Sequence, residues 1–125
     1  MTRATSNFPM GLDAMHHRLF IGLRHAPTLL ILDTQTGNTI SSLDIDGDVD
    51  DVFYSTKKNQ LYLSCGAGYI DVFDQIDADT YTAEGKIPTG PGAGTSLFIP
   101  ERNQVVVASP SGFNGEASIL IYTVK

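Results

Sequence analysis

The run Leu61-Tyr62-Leu63-Ser64 is a short apolar segment that follows the polar turn Lys58-Asn59-Gln60. The same arrangement occurs twice more, so that the three apolar runs start at residues 19, 61 and 105 and lie 42 and 44 residues apart. Short runs rich in Val, Ile, Leu, Tyr and Phe that are bounded by turn residues are typical of β-strands. The chain therefore contains three copies of one β-strand unit.

Further strand-like segments surround each of these runs at matching positions. One segment precedes each run, at residues 10–13, 52–55 and 97–100, and another follows it, at residues 30–33, 71–74 and 120–123. A fourth segment occurs only twice, at residues 39–45 and 81–87. Each unit thus reads as four consecutive strands, which we call A, B, C and D, and the last unit lacks its strand D.

A repeat of about 42 residues with four strands is the signature of β-propeller blades. We predict an all-β chain, a single segment over residues 1–125, made of about three antiparallel sheets. Blade one spans about residues 9–46, blade two about 50–88 and blade three about 95–125. No segment shows a sustained helical period, which agrees with an all-β architecture.

The repeats resemble the forty-residue YVTN-type repeat of bacterial and archaeal β-propellers. The resemblance rests on an apolar strand, then a strand that ends in Asp, then a Thr/Gly turn, as in Leu30-Ile31-Leu32-Asp33-Thr34-Gln35-Thr36-Gly37. The positions of the name-giving tetrad read Phe20-Ile21-Gly22-Leu23 and Tyr62-Leu63-Ser64-Cys65. The resemblance implies a C-terminal propeller segment, and the wider group includes cell-surface proteins, binding modules and enzymes.

Three blades cannot close a ring, because known propellers use about 4–8 blades. An open ring leaves apolar blade surface and strand edges in water, which favours association. Two hypotheses follow. Two copies of the chain form a homodimer with a six-bladed ring, or the chain is part of a longer propeller whose other blades complete it.

The stretch Asp44-Ile45-Asp46-Gly47-Asp48-Val49-Asp50-Asp51 holds five carboxylates in eight residues. Carboxylates are the ligands that Ca²⁺ prefers, so Asp44, Asp46, Asp48 and Asp50 are candidate calcium ligands. The alternative is a solvated connection between blades, because the glycine does not stand where an EF-hand loop has it. No other cofactor is expected.

The connections between blades also predict a ligand-binding surface. In a propeller the D–A connection leads to the innermost strand, so Asp50, Asp51, Thr95 and Ser96 are expected around one mouth of the central channel. Concave sites of this kind commonly bind ligands. An acidic, polar mouth suits a cation or a polyhydroxylated ligand.

Composition excludes some partners and leaves the compartment open. The net charge is −6 and no basic run is longer than Lys57-Lys58, so nucleic acid is not an expected partner. No apolar window is long enough to insert into a membrane. We expect a cytoplasmic location if the chain is complete, and a periplasmic or secreted one if it is a fragment of an exported protein.

Two functions remain open on sequence alone, and a third possibility is that the chain is a fragment or an engineered piece with no function of its own. The first is a non-enzymatic binding scaffold, which the repeat architecture favours, since no catalytic motif is evident. The second is an enzyme or an enzyme-associated propeller, such as a lactonase-like hydrolase or an oxidoreductase partner. The single Cys65 stands at a strand end, where a small apolar core role is the expected one.

Overall fold

The computed structural model describes residues 8–110 and 116–124. Within them lie eleven β-strands and one short 3-10 turn, Pro100–Arg102, which follows β9. The strands are β1 (Met10–Asp13), β2 (Arg18–Leu23), β3 (Thr28–Asp33), β4 (Thr39–Asp44), β5 (Val49–Ser55), β6 (Gln60–Cys65), β7 (Tyr69–Gln75), β8 (Tyr81–Pro88), β9 (Ser96–Ile99), β10 (Gln104–Ser109) and β11 (Ser118–Thr123).

The strands form three antiparallel sheets in simple up-and-down order. The first sheet is β1-β2-β3-β4, the second is β5-β6-β7-β8, and the third is β9-β10-β11. The all-β architecture of four, four and three strands is as predicted. Residues 1–7, 111–115 and 125 belong to the predicted range but lie outside the described residues.

The repeat extends to individual side chains. The first residue of each B strand pairs with the same position of strand C, and in every blade both partners are polar. The three pairs are Arg18 with Asp33 (3.4 Å), Gln60 with Asp74 (2.9 Å) and Gln104 with Thr123 (3.5 Å).

The turn between strands A and B is also repeated. Its last residue adopts a left-handed conformation in each blade, with φ of 57° at His17, 53° at Asn59 and 51° at Asn103. The carbonyl of this residue accepts a hydrogen bond from the N–H that follows strand C, at 2.9, 2.9 and 2.7 Å in the three blades. The turn therefore ties strands A and B to the end of strand C.

Blades one and two pack face to face through one apolar cluster. Phe20 and Ile31 of blade one meet Val52, Leu61 and Leu63 of blade two, and all five side chains are buried. A second cluster joins blades two and three, where Tyr62 and Val72 meet Val105 and Val107. Each sheet of a stacked pair thus contributes alternate residues of its strands to the shared core.

A buried polar network fastens blade one to blade two at the end of the A–B turns. Gln75 donates to Asp13 at 2.8 Å and to Tyr81 at 3.0 Å, and it accepts from Tyr54 at 2.7 Å. Asp13 also binds the imidazole of His16 at 2.7 Å. Burial raises the pKa of Asp13, but the hydrogen bonds from Gln75 and His16 outweigh it and hold that pKa below its ordinary value.

Two apolar sheet faces have no blade against them among the described residues. The upstream face of blade one consists of Met10, Leu12, Leu19, Ile21, Leu30 and Leu32, and Met10 is 60% exposed. The downstream face of blade three consists of Leu97, Val106, Ile119 and Ile121, and the two isoleucines are 64% and 61% exposed. The residues of these two faces occupy the same positions in the repeat as the residues of the faces that are buried between blades.

The structure differs from the sequence analysis in two local features. Strand A of blade three, β9, spans Ser96–Ile99 rather than the expected residues 97–100, and Phe98 packs in the core between blades two and three. Asp50 and Asp51 lie inside β5 rather than before it. The bulge that skips Asp50 in the β5–β6 pairing lets the strand start as early as Val49.

Candidate functional site

The loops that would border a channel mouth lie at one end of the three sheets. In an up-and-down sheet the B–C loop and the D–A connection share an end, because strand A starts where strand B stops. Residues 24–27 and 66–68 are the described B–C loops, and residues 45–48 and 89–95 are the D–A connections. Arg24 extends from the first of these loops toward the second blade.

Arg24 links the start of β5 to blade one. Its guanidinium bonds the carboxylate of Asp50, contacts Asp48 at 3.2 Å and donates to the carbonyl of Val49 at 3.2 Å. The side chain of Arg24 is 30% exposed and that of Asp50 is 31% exposed. One cation thus balances two carboxylates at the mouth.

The predicted mouth residues of blades two and three come together. Ser96 donates to Asp51 at 3.2 Å, and Thr95, beside it, is exposed. Asp50 lies against Gly94, where any Cβ would overlap its carboxyl group. The structure therefore places all four predicted residues, Asp50, Asp51, Thr95 and Ser96, along the starts of two adjacent inner strands.

The two adjacent carboxylates hold their protons more strongly than ordinary aspartates. Burial is the main cause that raises the pKa of Asp50, and the neighbouring Asp48 adds to it, while Arg24 acts in the opposite direction. Burial also raises the pKa of Asp51, against the hydrogen bond from Ser96. Partly buried carboxylates that Arg24 only partly compensates favour ligands that bring hydrogen-bond donors or positive charge.

The four candidate calcium ligands do not point at one centre. Asp48 and Asp50 bind Arg24, whereas Asp46 pairs with Lys86 at 3.2 Å, and Asp44 is exposed at the end of β4. Within residues 8–110 and 116–124, no group of three or more His, Cys, Asp or Glu side chains has the arrangement of a metal site. Calcium binding there stays a prediction that requires the carboxylates to rearrange.

Sequence reasoning missed Arg24 and the two glycines that the carboxylates cover, Gly66 and Gly94. The signal was present in the repeat. A B–C loop shares its end with the D–A connection, so a lone arginine in that loop is expected near the acidic stretch. The close approach of Asp48 to Gly66 and of Asp50 to Gly94 depends on packing between blades and left no pattern in the sequence.

Nucleophilic side chains near the mouth are engaged elsewhere. Ser64 donates to the carbonyl of Gly94 at 3.1 Å, and Ser96 donates to Asp51. Cys65 is fully buried between blades one and two, and burial raises the pKa of its thiol. The imidazole of His16, which a buried carboxylate orients, lies in an A–B turn at the opposite end of the sheets.

The described part of the chain contains no helix long and apolar enough to cross a membrane. No protein-family model matches the sequence. No curated protein matches it either.

Solved structures share the fold at low sequence identity. A chain of the mitotic checkpoint complex is 14% identical over 86% of this chain, with a TM-score of 0.73. A proposed 6-phosphogluconolactonase of Bacteroides fragilis is 16% identical over 91% of it, with a TM-score of 0.70. The Cps50 (Swd1) beta-propeller domain of Myceliophteria thermophila is 14% identical over 93% of it, with a TM-score of 0.57.

These likenesses establish the fold alone. The chain is three blades of a β-propeller, and it spans 32%, 38% and 43% of the three matched chains. The three blades described here form part of a propeller, which other blades or other chains would complete.

Proposed function

We propose that the chain is a non-enzymatic binding scaffold whose ligand or partner surface is the channel mouth. The single observation that carries this proposal is the convergence of Arg24, Asp50, Asp51 and Ser96 from three blades at one end of the sheets. These four residues are partly buried and polar, three of them are charged, and hydrogen bonds hold them in place. Preorganised polar groups of this kind provide specificity in binding sites.

Chemistry at the mouth favours binding over catalysis. The hydroxyl group of Ser64 donates to a backbone carbonyl, which cannot serve as the general base that a nucleophilic serine needs. The thiol of Cys65 is buried in the core. The excess of carboxylate over guanidinium suits a cationic or polyhydroxylated partner.

Amide shifts in the NMR spectrum of the full chain test the mouth as a binding surface. Tetralysine and maltotriose serve as cationic and polyhydroxylated probes, with NaCl of equal ionic strength as the reference. We expect one probe to shift the amides of Asp50, Asp51, Thr95 and Ser96, and Asp50→Asn together with Asp51→Asn to weaken that response. Shifts that are absent for both probes, or that survive in the double variant, would contradict the proposal.

We propose further that a second copy of the chain completes a six-bladed ring. The downstream face of blade three continues the strand register of Tyr62 and Phe20, which pack between blades. The upstream face of blade one continues the register of Leu61 and Leu63, which pack on the other side of the same joint. The two faces are therefore the two halves of one more interface between blades.

The YVTN-type repeat is our proposal for the sequence class of these blades. It is supported by the Asp that ends strand C in two blades, Asp33 and Asp74, each paired with the first residue of strand B. In blade three Thr123 takes this position and keeps a polar pair with Gln104.

Calcium binding by the acidic stretch is a separate proposal. Asp46 and Asp48 belong to opposite sides of the connection, so binding would draw them from Lys86 and Arg24. We expect 1 mM CaCl₂ to raise the melting temperature of the chain and to lose that effect in Asp46→Ala and Asp48→Ala. A melting temperature in CaCl₂ equal to that in MgCl₂ would contradict calcium binding by this stretch.

A further inference from the structure

A groove on the outer side of the joint between blades one and two is not part of the channel mouth. It has a volume of about 300 Å³ and is lined by Asp44, Asp46, Asp71, Phe73, Ala83 and Lys86. The acidic residues come from the end of β4, from the connection after it and from β7, while Ala83 and Lys86 come from β8. The groove thus combines an apolar wall with three carboxylates and one ammonium group.

The carboxyl group of Asp71 lies in this groove, and only one of its two oxygens accepts a hydrogen bond from a described residue. The residue is only 6% exposed, and its Oδ2 accepts the backbone N–H of Asp46 at 2.7 Å. Its other oxygen, Oδ1, is buried and has no hydrogen-bond partner among residues 8–110 and 116–124. A buried carboxylate oxygen without a partner is costly, so a ligand that donates to it would be stabilised.

Lys86 does not donate a hydrogen bond to Oδ1 of Asp71. Its ammonium group contacts Asp46 at 3.2 Å and lies 4.8 Å from the centre of the Tyr69 ring. These contacts hold the lysine on the rim, beside Asp46. Among the described residues no cation therefore bonds Asp44 or Asp71 in the groove, and the local charge favours a positively charged ligand.

The single unbonded oxygen of Asp71 also favours an ammonium group over a guanidinium group as the ligand. A guanidinium binds best when both oxygens of one carboxylate are open to it, and Asp71 has only one open oxygen. An ammonium group is a compact charge with three donors, which suits single oxygens of several carboxylates. Phe73 and Ala83 offer apolar surface for a short aliphatic stem.

We propose that this groove binds a primary ammonium group on a short aliphatic stem, held by Asp71 and the neighbouring carboxylates. Two sources share this chemistry, a free alkylamine and the side chain of a lysine in a partner protein. The site is independent of the channel mouth, since none of the four predicted mouth residues lines it.

Titration of the full chain with n-butylammonium chloride, followed by amide shifts, tests the proposal. We expect saturable shifts at Asp46 and Asp71, with n-butanol and matched NaCl producing none. At pH 8, where Asp71 is mostly ionised, Asp71→Asn should weaken binding about tenfold or more, because it replaces a charge with a neutral group of the same shape. Asp74→Asn, on the same strand, is the matched control and should bind as the unchanged chain does.

Lys86→Met provides a variant at an exposed position and should tighten binding several-fold, because it removes the competing ammonium group. Nα-acetyl-lysine amide separates the two sources: tighter binding than n-butylammonium assigns the groove to a lysyl side chain, and weaker binding assigns it to a free amine. Equal binding of n-butanol, or full binding by Asp71→Asn, would overturn the proposal.

Discussion

Asp71 is a buried carboxyl group whose ionisation is linked to folding. Burial is the main cause that raises its pKa from 3.8 to about 7, and the carboxyl of Asp46 adds to the effect. The unfolded chain therefore releases this proton at lower pH than the folded chain does. Its contribution to stability is fully present below about pH 4 and is lost as the pH rises through 7.

Asp71→Asn should remove this dependence on pH. Relative to the variant, the unfolding free energy of the unchanged chain should fall between pH 5 and 7 by at most about 1.4 kcal/mol per pH unit. Urea unfolding of both proteins at pH 5, 6, 7 and 8 measures the difference. Parallel stability curves would show that Asp71 titrates alike in the folded and unfolded chains.

Asn59 illustrates how a single backbone conformation supports the repeat. Its φ of 53° is strained for most residues, and Asn tolerates it better than β-branched residues do. Asn59→Val should lower the unfolding free energy by about 1–2 kcal/mol. Asn59→Gly is the control and should change it by less than about 0.5 kcal/mol, and urea unfolding at pH 7 would show equal losses if the turn were not strained.

Between elements, strand B of blade one and strand A of blade two approach too closely for an added methyl group. A Cβ on Gly22 of β2 would come within 2.9 Å of Val49 of β5. Gly22→Ala should therefore destabilise the fold by about 1–3 kcal/mol through overpacking. Gly85→Ala is the matched control, because a Cβ there meets nothing within 4 Å, and thermal unfolding should show no loss of stability.

The Gln75 network makes a second prediction about how blades one and two are joined. Gln75→Leu would leave the carboxylate of Asp13, which is 1% exposed, without one of its donors. We expect a loss of about 2–4 kcal/mol of unfolding free energy. Gln35→Leu, at an exposed turn, should change stability by less than about 0.5 kcal/mol, and similar losses in both variants would contradict a joining role.

Most of the secondary structure could be predicted from the sequence because apolar runs and turns repeat along the chain. The positions of the strands follow from that pattern to within a few residues. The sequence misplaced strand A of blade three, since Leu97, Phe98 and Ile99 are all apolar and do not reveal which face each one takes. The sequence also could not show that Arg24 forms an ion pair with Asp50, because that contact depends on the bulge in β5 and on the packing of the blades.

For the whole molecule, the repeated register defines two apolar faces that match each other. Ile121 is 61% exposed in the single chain, and Ile121→Asp would place a charge at the centre of the downstream face of blade three. If a second copy covers that face, this variant should stay folded and lose dimerisation, because burying an unpaired charge is costly. Thr123→Asp, on the same strand beyond the apolar part of the face, is the matched control and should still dimerise.

The mass of the chain in solution, measured by light scattering after size exclusion, tests the six-bladed ring most directly. The account predicts a mass near twice the 13.5 kDa of one chain, and a single-chain mass for Ile121→Asp. A well-folded monomer of the unchanged chain at all concentrations, or a dimer that survives Ile121→Asp, would contradict ring completion by a second copy.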